Sequence, residues 1–320
     1  MKLKILSFVI MVILMFAAPG SIHAALDISF DYTYDTNSFF NTQAKRDVLD
    51  AAGNVFESRI TDTLDSITPG GSNEWTTSFT HPGTGGNQNI VDPSISGGVI
   101  VVYVGGRSLG GSLGLGGYGG YSASGSQAWL DLIEGRGEAG AIANPPTDFA
   151  CWGGSISFNS DSTWYFDSNV STDDVPPGEN DFYSVAIHEL GHVLGYLYDS
   201  GNVNSWTNLV DTDTDKFTGT FSVAEYGGDV PLAGSDDSGR SHWEAELEST
   251  LPGTETSQEV SMDPTITVGE RKYYTDLDFA GLQDIGWEVT AVPEPSLIFL
   301  FPLGIFFVFL HRRRSRNTSK

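Results

Sequence analysis

Phe182-Tyr183-Ser184-Val185-Ala186-Ile187-His188-Glu189-Leu190-Gly191-His192-Val193-Leu194-Gly195 is the stretch on which the fold turns. Val175-Pro176-Pro177-Gly178 breaks the chain ahead of it, Asn180 or Asp181 can cap a helix, and Gly195 is placed to end one. Positions 188 and 192 of a helix share a face, so both imidazoles can point at one ion with Glu189 beside them. Zinc suits neutral imidazoles, accepts a tetrahedral site with an open position, and lowers the pKa of a bound water to about 7. Glu189 is then the base that takes that proton and the acid that returns it to a leaving amine. The bland alternative, two histidines satisfied in a core or on a surface, requires the spacing, the intervening glutamate and the helical setting to coincide by chance.

A catalytic zinc normally has three protein ligands plus water, so a third must be found. Of six histidines, His23 and His311 lie near the ends, which leaves His81 and His242 beside the helical pair. Gly195 extends the motif to His-Glu-x-x-His-x-x-Gly, and with it the chain resembles the metzincin metalloproteases. Their usual third histidine falls three residues after that glycine, where this chain has Tyr198. His242, in Gly239-Arg240-Ser241-His242-Trp243-Glu244, is similar to the distant ligand of the leishmanolysin-type metzincins. Phe217-Thr218-Gly219, Tyr226 and Val230-Pro231-Leu232 look like the insertion that precedes it there. The resemblance implies that His188, His192 and His242 bind zinc, that Glu189 is the general base, and that Met262 in Ser261-Met262-Asp263-Pro264 forms a methionine turn beneath the metal. Asp199 stays open as a rival third ligand, since some metzincins use aspartate. Residues 154–195 look matrixin-like and 217–288 leishmanolysin-like; residues 25–153 are assigned to an upper lobe on the order of a helix and a strand alone.

The implied fold class is α+β: a two-lobed zinc protease domain with a twisted mixed sheet, an active-site helix and a small C-terminal lobe. Residues 45–64 repeat apolar positions at helical spacing (Val48, Leu49, Ala52, Val55, Phe56, Ile60), and Val99 to Val104 reads as a buried strand. The glycine-rich stretch from Gly105 to Gly120 has no phosphate-binding signature and is expected to be a mobile surface loop. Gly154 to Asn159 alternates as a strand, with Ser155–Phe158 the expected edge along which a substrate would lie. Leu277, Phe279, Ala280, Leu282 and Ile285 predict a short helix from near Asp276 to Gly286-Trp287. Asp211, Asp213 and Asp215 alternate as calcium ligands can, but Lys216 stands where the EF-hand glycine belongs, so a solvated acidic turn is expected and a Ca2+ cofactor has no support. Cys151 has no latency motif around it and reads as a buried structural thiol.

Both ends read as addresses. Residues 1–24 carry Lys2 and Lys4, an apolar run and Ile22-His23-Ala24, the pattern of a secretory leader removed by signal peptidase. Residues 292–320 hold Pro293-Glu294-Pro295, an apolar run from Leu297 to Leu310, and His311-Arg312-Arg313-Arg314. That tail resembles the PEP-CTERM sorting signal. The resemblance implies transient inner-membrane association through a transmembrane segment, removal by an exosortase-type enzyme, and release to the surface or surroundings of a Gram-negative bacterium. Between the addresses lies the expected protease domain, 25–291, with an upper lobe at 25–195 and a lower lobe at 196–291. Two of the 16 basic residues fall in the leader and five in the tail, leaving nine against 40 acidic ones, a net of −31. So acidic a body excludes nucleic acid as a partner, because phosphate recognition needs clustered Lys and Arg. The expected activity is zinc-dependent hydrolysis of protein or peptide substrates. The alternative is a surface or matrix binding protein that keeps the metzincin scaffold with little or no turnover.

Overall fold

The computed structural model describes residues 26–290, so the leader and the sorting tail lie outside the described residues. The principal sheet has the order β1 (Asp27–Asp31), β4 (Val99–Arg107), β7 (Gly153–Asn159), β5 (Gly114–Tyr118). The first three strands are parallel, and β5 runs antiparallel to β7 at the open edge. Helices α1 (Gln43–Glu57) and α3 (Phe182–Val193) pack on the sheet and on each other. Phe40, Leu49, Phe56, Ile100, Val102, Ile156, Phe158, Phe182 and Leu190 are all within 1% of full burial and form the common core. The architecture is mixed α+β.

Thr42 caps α1 by accepting from the Lys45 N–H. The apolar periodicity runs past the helix end at Glu57 because Ile60 leaves it to form a backbone bridge with Val289. A second, antiparallel sheet of β3 (Asn87–Val91), β2 (Glu74–Thr80) and β6 (Gly120–Ser124) has its own apolar cluster. Trp75, Phe79, Tyr103, Trp129 and Trp152 fill that cluster, with Trp129 supplied by α2 (Gln127–Gly135).

Short elements make up the rest. Strand β8 (Trp164–Tyr165) pairs with β9 (Asn180–Asp181) just ahead of α3. Beyond it, β10 (Val210–Asp211), β11 (Lys216–Phe217) and β12 (Val230–Pro231) make a small antiparallel sheet around α4 (Thr220–Tyr226). Helix α5 (Asp237–Arg240) precedes the hairpin of β13 (Glu248–Thr250) and β14 (Ser257–Glu259). Helix α6 (Asp276–Asp284) starts at a capping box in which Thr275 and Asp278 bond reciprocally.

Two expectations for the sheet are corrected. Much of the Gly105–Gly120 stretch is strand: it forms the end of β4 and all of β5. Glycine recurs there because neighbours press close; a Cβ on Gly106 would overlap the Phe39 ring. Ser155–Phe158 is interior rather than an edge, since β7 is paired on both sides and buried along its whole length.

Candidate metal centre

Asp181 caps α3 by accepting from the Ser184 N–H at 3.1 Å, and the buried Arg271 holds the same carboxylate at 2.7 and 2.9 Å. Eleven of the twelve residues of α3 are buried, so the helix is fixed on all sides. A Cβ on Gly191 would collide with the Met262 sulfur and approach the Tyr274 hydroxyl to 3.0 Å. Glycine therefore leaves room for Met262, which packs against this face of the helix. Gly195 stops α3 in the left-handed region at φ +111°, and the chain doubles back so that the Tyr196 carbonyl faces His192.

His188, His192 and His242 converge. Their Nε2 atoms are 3.1, 3.1 and 3.3 Å apart, and their Nδ1 atoms meet the carbonyls of Ser261 (2.7 Å), Tyr196 (2.6 Å) and Ser238 (2.6 Å). A carbonyl only accepts, so each Nδ1 carries the hydrogen and each Nε2 presents a lone pair. Burial holds His188 down to about 3 and His192 well below the ordinary range, with the neighbouring imidazoles adding to it; burial lowers His242 as well. Three neutral nitrogens facing one another with no hydrogen between them repel unless a cation lies among them. Zinc at about 2.0–2.1 Å from each nitrogen in tetrahedral geometry needs N···N separations of about 3.3–3.4 Å, so the donor set fits that metal.

The other candidates do not join the three nitrogens. Asp199 turns its carboxylate into its own loop, accepting from the Gly201 N–H (2.8 Å) and Asn202 Nδ2 (2.7 Å), which keep its pKa below the usual value. Tyr198 is buried, and its N–H donates to the Ser241 hydroxyl at 2.9 Å, tying down the segment that carries His242. His81 caps its own turn through Gly83 and packs on Tyr34. Cys151 is buried with Sγ on the Val193 carbonyl, and burial pushes its thiol up to about 12. Asp211 and Asp215 use their carboxylates on Asp213 N–H, Thr214 and Arg240, and do not converge with Asp213.

Glu189 is 6% exposed and sits under β5. The Gly116 N–H donates to its Oε2 at 2.6 Å, while Cβ atoms on Gly114 or Gly116 would overlap Glu189 itself. Burial pushes the carboxyl up to about 8, and the Gly116 hydrogen bond works against that rise. The glycine-rich strand is thus the wall that seats the carboxylate, a role that composition alone did not disclose. A cavity of about 770 Å³ opens over Glu189 and the histidines, walled by Leu113, Leu115, Tyr198 and Ile266.

Asp278 was also missed. Its buried carboxylate accepts from the N–H groups of Ser261 (2.8 Å) and Met262 (3.0 Å), and so pins the turn whose carbonyl orients His188. Met262 itself is fully buried against α3. The one available signal for Asp278 was its place three residues after Thr275, a capping pattern that says nothing of a long-range role.

Comparison with known proteins matches residues 123–210 to the matrixin family model. That segment includes His188, Glu189 and His192 and stops short of His242. No curated protein and no solved structure matches the chain. The match and the three grouped histidines together support a metzincin-like zinc protease.

Proposed function

We propose that this chain is an exported zinc endopeptidase, a reading carried by the three converging Nε2 lone pairs with Glu189 beside them. When bound there by His188, His192 and His242, zinc supplies Lewis acidity towards the scissile carbonyl and a water of lowered pKa. A zinc cation bound beside Glu189 would favour the carboxylate that burial alone disfavours; with Oε2 on the Gly116 N–H, Oε1 is left to take the proton of the attacking water and return it to the leaving amine. Substrate adds as a strand to the free side of β5. The Asn159 N–H donates to Leu113 and the Gly119 N–H to Gly153, so alternate residues bond β7; with the Gly116 N–H taken by Glu189, the backbone groups of Gly114 and Tyr118 and the Gly116 carbonyl are left for the open side. Leu115, half exposed on the opposite face, is free to touch substrate side chains.

Casein or gelatin cleavage is expected, lost with a chelator, restored by zinc, and absent in Glu189→Ala. Retained cleavage in that variant overturns the mechanism; zinc bound at one equivalent with no cleavage of any protein library favours the non-catalytic scaffold. Export rests on residues 1–24 and 292–320, and terminal sequencing of the secreted form checks it: both segments should be missing.

A further inference from the structure

We infer that Asp215 and Arg240 form a clamp that positions His242, so that the acidic turn at 211–215 serves the metal centre from outside the ligand set. This rests on the zinc reading above. Asp215 lies in the left-handed region, φ +49°, at the turn joining β10 and β11. Its Oδ1 accepts from both Nε (2.9 Å) and Nη2 (2.6 Å) of Arg240, and Nη2 also donates to the Thr212 carbonyl at 3.1 Å. The Arg240 side chain is 14% exposed and lies 5.2 Å over the Tyr198 ring, while its carbonyl accepts from Trp206 Nε1 at 2.9 Å. The last residue of α5 is therefore held by main chain and side chain together.

His242 follows two residues later. Its Nδ1 donates to the Ser238 carbonyl inside the same short helix, so the direction of the ring follows the placement of α5. The hold on α5 reaches back to the acidic turn through Arg240 and to Tyr198 through Ser241. A chain that lacks a histidine at position 198 thus uses the residue there, with the turn at 211–215, to seat a ligand brought from far along the sequence. The cation that this turn binds is the guanidinium of Arg240.

The test is zinc affinity of the full-length protein by competition with a chromophoric chelator, with the visible spectrum of the cobalt-substituted protein as a readout of ligand geometry. Asp215→Asn keeps the size of the side chain and tolerates the left-handed backbone. Arg240→Met keeps the stem over Tyr198. Each should weaken zinc binding about tenfold, the low end for losing a partner outside a metal's ligand shell. The double variant should be no weaker than either single one, and the cobalt spectrum should change in all three. Asp213→Asn, in the same turn but off Arg240, should bind as wild type. Unchanged affinity in Asp215→Asn, or equal weakening in Asp213→Asn, overturns the clamp. If Arg240→Met does not fold, Asp215→Asn and Asp213→Asn still decide it. Wild type that binds no zinc overturns the metal reading and the clamp with it, whereas zinc lost in His242→Ala but unaffected by Asp215→Asn overturns the clamp alone.

Discussion

His188 and His192 reach the metal centre together on successive turns of α3, whereas His242 arrives from 50 residues away, just beyond a helix of four. The first pair needs only that α3 be a helix, because i and i+4 share a face whatever surrounds them. The third depends on Tyr198, Trp206, Arg240 and the Ser238 carbonyl all being in place. Ligands supplied by local geometry tolerate disturbance elsewhere; a ligand supplied by tertiary contacts is the point at which the site can be loosened without touching the helix.

The largest expected effect sets the two kinds of ligand side by side. His242→Ala should abolish zinc retention as fully as His192→Ala, measured by metal content after dialysis, while Asp199→Ala should leave it intact. Zinc retained in His242→Ala would remove the distant ligand from the comparison. Glu189→Gln comes next: kcat should fall about 10²–10⁴-fold with zinc content unchanged, since removing a general base leaves the ligands untouched. Lost metal in that variant would mean that the glutamate is a ligand.

Two packing changes then probe each side. Trp206 is fully buried between Tyr196, Phe217 and Trp243 and donates to the Arg240 carbonyl. Trp206→Ala should cost about 3–5 kcal/mol in urea unfolding and weaken zinc binding along with it. Gly191→Ala forces a methyl group on Met262 and Tyr274 and should cost about 1–3 kcal/mol. No loss of stability there would show that the methionine turn does not seat against α3.

The smallest effect concerns pH. Burial depresses all three imidazoles, so in the chelated protein the unfolded chain binds protons that the folded chain refuses once the pH falls below about 6.5. That contribution to stability is fully present above pH 6.5 and is lost as the pH falls towards the His188 value of about 3. Urea midpoints of chelated wild type should drop more steeply between pH 6.5 and 4.5 than those of His242→Gln, by at most about 1.4 kcal/mol per pH unit. Parallel curves would mean that His242 is not held neutral by its surroundings.

What could be read from sequence divides along the same line. The α3 helix, its cap at Asp181, its stop at Gly195 and the pair His188 and His192 were legible because each follows from a pattern only a few residues long. Helix α6 and strands β4 and β7 were found from their apolar patterns for the same reason. The glycine-rich stretch misled: glycine marks loops and close approaches alike, and only the approach of β5 to Glu189 distinguishes the two. The edge was misplaced from Gly114–Tyr118 to Ser155–Phe158 because an alternating strand does not declare whether one or both of its sides are paired.

The sequence by itself narrowed the chemistry: His188 and His192 on one helical face with Glu189 beside them, His242 or Asp199 open as the third ligand, and Met262 available to lie beneath. Only the tertiary structure decided which nitrogen of each ring faces the centre, since that depends on carbonyls at Ser261, Tyr196 and Ser238 supplied by three separate segments. It alone decided that Gly116 holds Glu189 and that Asp278 pins the turn beneath His188. The physical reason is range. A helix writes its contacts into a spacing of four residues, whereas a hydrogen bond across 73 residues of chain, such as His188 to Ser261 or Gly116 to Glu189, leaves no periodic trace in the order of the amino acids.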